Sequence, residues 1–171
     1  MEVTIYSDAS HKEGKVGFAF QIHCNQFKLK KAGRSPVRII DVPGAELLPV
    51  LKALKILYNT RTAKIKNIVV VLDSISVISA LQEGKRSFKN KQTLEMADEC
   101  YYTMLDICVK QGYGVRDVYK VFSFNHIKAH TNLKDPISRI NEWCDKTAKI
   151  HRLGGVKDYY CLENDLSDIL F

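Results

Sequence analysis

The sequence has little of what a disulfide framework, a zinc site or a membrane span requires. Its five cysteines are scattered, odd in number and include no CxxC pair, which argues against both disulfide and zinc frameworks and favours buried, reduced thiols. No stretch reaches the unbroken apolar length of a membrane-spanning helix. The N-terminus leads into a strand pattern with no basic and apolar leader. We therefore expect an intracellular, cytoplasmic protein with no membrane partner.

Basic residues are missing from the end of the chain. All 26 Lys and Arg residues lie within residues 1–157, which hold 15 of the 19 acidic residues and so carry a net charge of +11. Asp158 to Phe171 contains four acids and no base. A surplus of this size favours a polyanionic partner such as nucleic acid, although a merely basic protein would have the same composition.

The stretch EVTIYSDAS at residues 2–10 organises the predicted fold. Val3 and Ile5 alternate with Thr4 and Tyr6 at the period of a strand, and a carboxylate follows where the apolar run stops. That carboxylate is Asp8. A strand this close to the N-terminus pairs with later strands, and we expect it to lie centrally among them.

The remaining pattern predicts the order β-β-β-α-β-α-α-β-α in a mixed sheet. Three early strands with short connections form an antiparallel meander, the third extending or resuming through SPVRIIDV, and an apolar helix follows over residues 45–58. KNIVVVLD at residues 66–73 is a buried parallel strand, and the last strand is predicted over residues 117–127. The fold class is therefore α/β, with a five-stranded sheet, three strands antiparallel and two parallel, flanked by helices. At 171 residues and 46% hydrophobic content, one packed core is expected.

Acidic residues fall at the points where these elements meet. Asp8 stands where the apolar run of the first strand stops, Asp73 ends the parallel strand, Glu46 opens the helix between them, and Asp145 lies on the last helix. Converging carboxylates repel one another strongly unless divalent cations neutralise them. Oxygen-only ligands select hard ions, so the predicted cofactor is Mg²⁺, with Mn²⁺ as the alternative. A second interpretation of Asp145 is a surface ion pair with Lys149, four residues later on the helix.

Several short motifs occur in an order that resembles a known family. They are SDAS at the end of the first strand, GAEL opening the first helix, VVLDS at the fourth strand, IKAHT after the fifth, and NEWCDKTA on the last helix. In order and spacing the chain resembles a type 1 ribonuclease H over roughly residues 2–152. The resemblance implies a ribonuclease H-like catalytic domain over residues 1–152, followed by an acidic C-terminal tail over residues 153–171.

The resemblance also implies an activity and a set of site residues. The activity is metal-dependent cleavage of the RNA strand of an RNA–DNA hybrid by two metal ions, leaving 5′-phosphate and 3′-hydroxyl ends. Asp8, Glu46, Asp73 and Asp145 would be metal ligands, and His130 would assist proton transfer or product release. The candidate substrate-binding residues are Ser10, Ser74, Asn141, Lys85, Arg86 and Lys89. We expect a monomer, although the sequence does not define the oligomeric state.

A departure from the family pattern and the breadth of the fold keep other functions open. The chain departs from the family pattern before the helix glutamate, where Asp41 falls at the place of an expected phosphate-binding hydroxyl. The alternatives are a catalytically silent nucleic-acid or partner-binding module of the same fold, or another nuclease of the superfamily such as a resolvase or exonuclease, because fold alone does not choose among them.

Overall fold

A computed structural model describes residues 1–84, 86–128 and 135–163 of the chain. The strands in this part of the chain are β1 (Glu2–Lys12), β2 (Lys15–Cys24), β3 (Lys28–Arg34), β4 (Asn67–Leu72), β5 (Phe122–His126) and β6 (Tyr159–Glu163). The helices are α1 (Val42–Asn59), α2 (Ile75–Gln82), α3 (Lys91–Lys110), a 3₁₀ turn at Val115–Asp117, α4 (Val118–Val121) and α5 (Pro136–Leu153). None of the helices described here has both the length and the apolar character needed to cross a bilayer.

The strands form one mixed sheet in the order β5-β4-β1-β2-β3-β6. β1 lies between β4, to which it is parallel, and β2, to which it is antiparallel. The predicted central position of the first strand is therefore confirmed. Its odd-numbered apolar residues, such as Val3 and Ile5, face a large core beneath α1 and α3, whereas Tyr6 faces a smaller cluster beneath α5. This alternation follows from the two-residue period of a strand.

Within the described residues the sheet has six strands rather than the predicted five, because part of the acidic tail forms β6. β6 adds to the edge strand β3 in antiparallel register, with Lys30 opposite Cys161. Lys30 Nζ lies 2.7 Å from a carboxylate oxygen of Glu163, and the ring of Tyr159 lies 5.8 Å from that of Trp143 on α5. The acidic charge in this segment is thus partly matched by a base on the neighbouring strand, a pairing that the local sequence pattern does not reveal.

The predicted last strand is correct only in its second half. Val118 and Val121 are spaced by three residues and are both buried, which is the spacing of a helical turn rather than of a strand. Asp117 stabilises the preceding turn by accepting a hydrogen bond from the backbone N–H of Gly114 at 3.1 Å. The third strand likewise ends at Arg34, so residues 35–41 of the predicted extension through SPVRIIDV form a loop instead, and Val42 begins α1.

The prediction of buried, reduced cysteines is confirmed in part, because Cys24 and Cys161 are only half-buried. All five are free, and Cys100, Cys108 and Cys144 are buried. Burial raises the pKa of the Cys100 and Cys144 thiols above the ordinary value, which keeps both side chains protonated.

Candidate active site

Two parallel strands bring Asp8 and Asp73 to the same level of the sheet. Tyr6 of β1 is opposite Val71 of β4, so the residues two positions further along each strand lie side by side. Asp8 is still within β1, whereas Asp73 directly follows the last residue of β4. This edge, at the carboxyl ends of parallel strands, is the usual location of sites in α/β sheets.

The third carboxylate comes from the first turns of α1. The Asp41 side chain caps this helix by accepting a hydrogen bond from the backbone N–H of Gly44 at 2.8 Å. Pro43 lies in the first turn, where its missing N–H removes no intrahelical bond. This start fixes the direction of α1 and places the buried Glu46 beside the end of β1.

The three acids form a compact cluster. Asp8, Glu46 and Asp73 each offer a carboxylate oxygen, and these oxygens all lie within 4.8 Å of one another. Asp8 is 5% exposed and Glu46 8%. Neither of these two forms an ion pair with any base among the described residues. One carboxylate oxygen of Glu46, Oε2, is buried without a hydrogen-bond partner there.

Burial and mutual repulsion both disfavour the charged forms of these acids. Burial, followed by the charge of Asp73, raises the pKa of Asp8 to about 7 from an ordinary value of 3.8, although the Ala9 N–H donates to Asp8 at 2.8 Å. Burial and the charges of Asp8 and Asp73 likewise raise the pKa of Glu46 well above its usual range. Such shifts are typical of acids whose burial and mutual repulsion outweigh the positive charge near them.

The donor set fits a hard divalent cation. It consists of carboxylate oxygens, which Mg²⁺ and Mn²⁺ prefer over softer metals. The buried Glu46 oxygen without a partner has no structural hydrogen bond to satisfy it, and coordination by a cation would do so. An acidic cluster with these properties is therefore present at the predicted position.

Asp145 lies beside this cluster but is not part of the compact group. It is close enough for its charge to raise the pKa of both Asp8 and Glu46. Its own carboxylate accepts a hydrogen bond from Lys149 Nζ at 2.8 Å, so the ion pair considered as a second interpretation does form. The two interpretations are compatible, since Lys149 also lowers the pKa of Asp8 and so counters part of the repulsion.

Replacing Asp8 with asparagine should stabilise the metal-free protein. Between pH 3.8 and about 7 only the unfolded chain ionises at this residue, so the wild type loses stability as the pH rises through this window. At 1.36 kcal/mol per pKa unit, we expect the free energy of unfolding of Asp8→Asn at pH 8 in EDTA to exceed that of the wild type by about 1–4 kcal/mol. At pH 4 the difference should nearly vanish, because the carboxyl group is then largely neutral in the folded protein.

Urea unfolding at pH 4 and pH 8 measures this difference. Asp106→Asn, at an exposed acid on α3, is the matched control and should show no such pH-dependent gain. A wild type at least as stable as Asp8→Asn at pH 8 in EDTA would contradict the electrostatic account.

A comparison with models of protein families shows to which family this chain belongs. A model of the RNase H family matches residues 1–152. This chain belongs to the RNase H family. A search of curated proteins finds no match.

Solved RNase H structures share the fold of this RNase H. RNase H1 from the halophilic archaeon Halobacterium salinarum NRC-1 is 15% identical, with a TM-score of 0.57 over 88% of this chain and 97% of that one. LC11-RNase H1, isolated from compost by a metagenomic approach, is 14% identical, with a TM-score of 0.63 over 91% of this chain and 99% of that one. LC11-RNase H1 in complex with an RNA/DNA hybrid gives a TM-score of 0.57 at 14% identity, covering 86% of this chain and 94% of that one. The prediction of a ribonuclease H-like fold is confirmed.

Three predicted substrate-binding residues of this RNase H lie next to its acids in sequence or on the same element. Ser10 is two residues beyond Asp8 and accepts a hydrogen bond from Arg152 Nε at 2.8 Å. Ser74 directly follows Asp73 and caps α2, accepting from the Val77 N–H at 3.5 Å. Asn141 is buried on α5, one turn before Asp145.

The three bases predicted to bind substrate, Lys85, Arg86 and Lys89, which we call the basic handle, are only partly described. Lys85 and His130 lie outside the described residues. Arg86 forms an ion pair with Asp98 on α3, and its guanidinium carbon lies 5.8 Å from the centre of the Tyr101 ring. Lys89 is exposed. Of the handle residues that the structure describes, Lys89 is therefore the more accessible to a ligand.

Two contacts at the site were not foreseen from the sequence. Asp41, besides capping α1, accepts a hydrogen bond from the Thr93 hydroxyl of α3 at 2.6 Å, so its carboxylate has a structural role. His126, at the end of β5, lies with Nε2 3.2 Å from the backbone oxygen of Asp73 and must donate to it, because a carbonyl only accepts. The hydrogen bond between Asp41 and Thr93 joins α1 to α3, which are distant in sequence. Its only sequence signal is an acid just before the proline in the first turn of α1.

Proposed function

We propose that this protein is a divalent-metal-dependent endoribonuclease that cleaves the RNA strand of RNA–DNA hybrids, leaving 5′-phosphate and 3′-hydroxyl ends. The observation that carries the proposal is the compact cluster of Asp8, Glu46 and Asp73, the first two of them buried, in a member of the RNase H family. A catalytically silent module would have no need to keep three mutually repelling acids together, since their repulsion destabilises the fold.

In this proposal Asp8, Glu46 and Asp73 hold two cations, and Asp145 completes the ligand set. When bound there, Mg²⁺ or Mn²⁺ would stabilise the negative charge that develops on the phosphate and make a water molecule more acidic. Asp8 and Asp73 are positioned by adjacent strands and Glu46 by a capped helix. Rigid elements of this kind hold ligands with little reorganisation during the reaction.

The proposed partner is an RNA–DNA hybrid. The charge of +11 over residues 1–157 supports a polyanionic substrate. LC11-RNase H1, which shares the fold, was solved in complex with such a hybrid. The wide minor groove of an A-like duplex exposes the 2′-hydroxyl, which allows RNA to be distinguished from DNA.

We further propose that residues 1–152 form the catalytic unit, that the acidic segment from residue 153 onward is an addition to it, and that the protein acts as a monomer. The family match ends at residue 152. β6 lies beside β3 at one edge of the sheet, whereas β4, which leads to Asp73, lies next to the strand at the other edge.

A substrate panel tests the proposed function. Labelled RNA–DNA hybrid, double-stranded RNA, double-stranded DNA and a four-way junction are incubated with the protein in Mg²⁺, Mn²⁺ or EDTA. We expect cleavage of the RNA strand of the hybrid alone, only with a divalent ion, and 5′-phosphate ends on the products. Binding of the hybrid without cleavage would instead indicate a silent module, and preferential cutting of the junction would indicate a resolvase.

A further inference from the structure

β1 continues past the acids into a hairpin that carries positive charge. Side chains alternate between the faces of a strand, so Asp8, Ser10 and Lys12 lie on the same face of β1. Lys15 is opposite Lys12 in the hairpin, and Gly17 is opposite both Ser10 and Arg34. Lys15 and Arg34 therefore belong to that face as well.

The end of α5 adds a fourth base to this face. An open pocket at the hairpin is lined by Lys12, Glu13, Lys15, Arg152 and Leu153. The hydrogen bond from Arg152 Nε to Ser10 fixes this guanidinium beside β1. We call Lys12, Lys15, Arg34 and Arg152 the hairpin basic patch.

Arg34 lies beside Gly154, the residue that follows Leu153 of the pocket lining. Its Nη1 lies over Gly154, where an added Cβ would come within 2.7 Å of it. Gly154 ends α5 with a φ of +84°, a conformation that favours glycine, so the chain turns away at this point and leaves room for the arginine.

The charges of the patch are not neutralised within the described part of the chain. None of its four bases forms an ion pair there, and Glu13 is the one acid that lines the pocket. Some bases elsewhere on the described surface do pair with acids, as in the pairs of Lys146 with Glu142 and Lys120 with Asp117. Clustered like charges repel one another, so a cluster without partners attracts a polyanion more strongly than dispersed bases do.

The patch is aligned with the acidic cluster. Four residues of strand separate Asp8 from Lys12, which is about 13 Å at 3.3 Å per residue. That span corresponds to roughly four nucleotides at 3.4 Å of helix rise each. On α5, Asp145, Lys149 and Arg152 follow at helical spacing, so one helix face runs from the acids to the patch.

We propose that the hairpin basic patch binds backbone phosphates of the duplex substrate, roughly three to four nucleotides from the scissile phosphate. This inference rests on the proposed function, because it takes the duplex held at the acids to extend over the patch. The patch contributes affinity and register, since phosphate contacts position a duplex without reading its sequence.

The test compares two double variants with the same loss of charge. Lys12→Gln/Lys15→Gln removes two exposed lysines of the patch, and Lys64→Gln/Lys66→Gln removes two exposed lysines before β4, at the opposite end of β1. Binding of a fluorescent RNA–DNA hybrid is measured in EDTA over a range of salt concentrations. We expect the slope of log K against log salt to fall in magnitude by about 2 for the patch variant and much less for the control.

Cleavage kinetics and modified hybrids complete the test. In the patch variant KM should rise, whereas kcat should stay close to the wild-type value. A hybrid with neutral methylphosphonate linkages three to four nucleotides from the cleaved bond should bind the wild type more weakly than the unmodified hybrid, whereas the patch variant should not distinguish them. Equal salt slopes for the patch and control variants would overturn the inference, even if the wild type cleaves the hybrid normally. If the wild type fails to cleave any hybrid, the proposed function is contradicted instead. The salt slopes measured in EDTA would still show whether the patch binds the hybrid.

Discussion

Asp73→Asn is expected to reduce cleavage of an RNA–DNA hybrid by about 10³-fold or more, with little change in the fold. Removing a single preorganised electrostatic group from an active site costs about 10²–10³ in kcat, and loss of a metal ligand should cost at least as much. The oxygen of Asp73 lies within 4.8 Å of those of Asp8 and Glu46, so an amide at this position would weaken cation binding by the whole cluster.

The experiment measures cleavage rate and cation binding separately. Single-turnover rates are measured at several Mg²⁺ concentrations, and Mn²⁺ binding to the free protein is followed by calorimetry. Asp73→Asn and Asp8→Asn should both lose rate and Mn²⁺ affinity, whereas the control Asp106→Asn on the exposed side of α3 should keep both. If Asp8→Asn and Asp73→Asn both still cut the hybrid at the wild-type rate, the proposed mechanism is wrong.

Asp8 and Asp73 could be located from the sequence because each follows the apolar run of a strongly patterned strand. Val3 and Ile5 fix the register of β1, and the apolar run of β4 ends one residue before Asp73. Burial requires these patterns to have one orientation, since a shift of one residue would turn every apolar side chain to the wrong face. The positions of Asp8 and Asp73 follow from that constraint.

The features that the sequence did not predict depend on contacts between distant segments. β6 exists because it pairs with β3 and because Lys30 meets Glu163, and neither partner is visible in the local pattern of the tail. The ion pair of Arg86 with Asp98 similarly joins the loop before α3 to a residue on that helix, twelve positions further along the chain. Local periodicity carries no information about such partners. The long buried elements, in contrast, have a hydrophobic period that can be read directly from the sequence.

Gly17→Ala is expected to destabilise the protein by about 2–4 kcal/mol, because one methyl group would separate α5 from the sheet. A Cβ at this position of β2 would lie 1.9 Å from the backbone oxygen of Ala148 and 2.4 Å from the backbone nitrogen of Arg152. Both atoms belong to the helix backbone, so no side-chain rotation relieves the contact and the helix itself must move. Inserting extra carbon into a packed contact typically costs about 1–3 kcal/mol, and more where the backbone must shift.

The same displacement should also affect the site, since α5 carries Asp145 toward Asp8 and Arg152 to Ser10. Denaturant unfolding gives the stability loss, and the cleavage rate at a temperature where the variant is fully folded reports the position of α5. Gly114→Ala is the matched control, because its Cβ would approach nothing closer than 3.3 Å and its φ of −75° suits any residue. Its stability should stay within about 0.5 kcal/mol of the wild type. If Gly17→Ala is as stable as this control, α5 does not pack closely on β2. The packing would then no longer explain why Asp145 lies near the other acids.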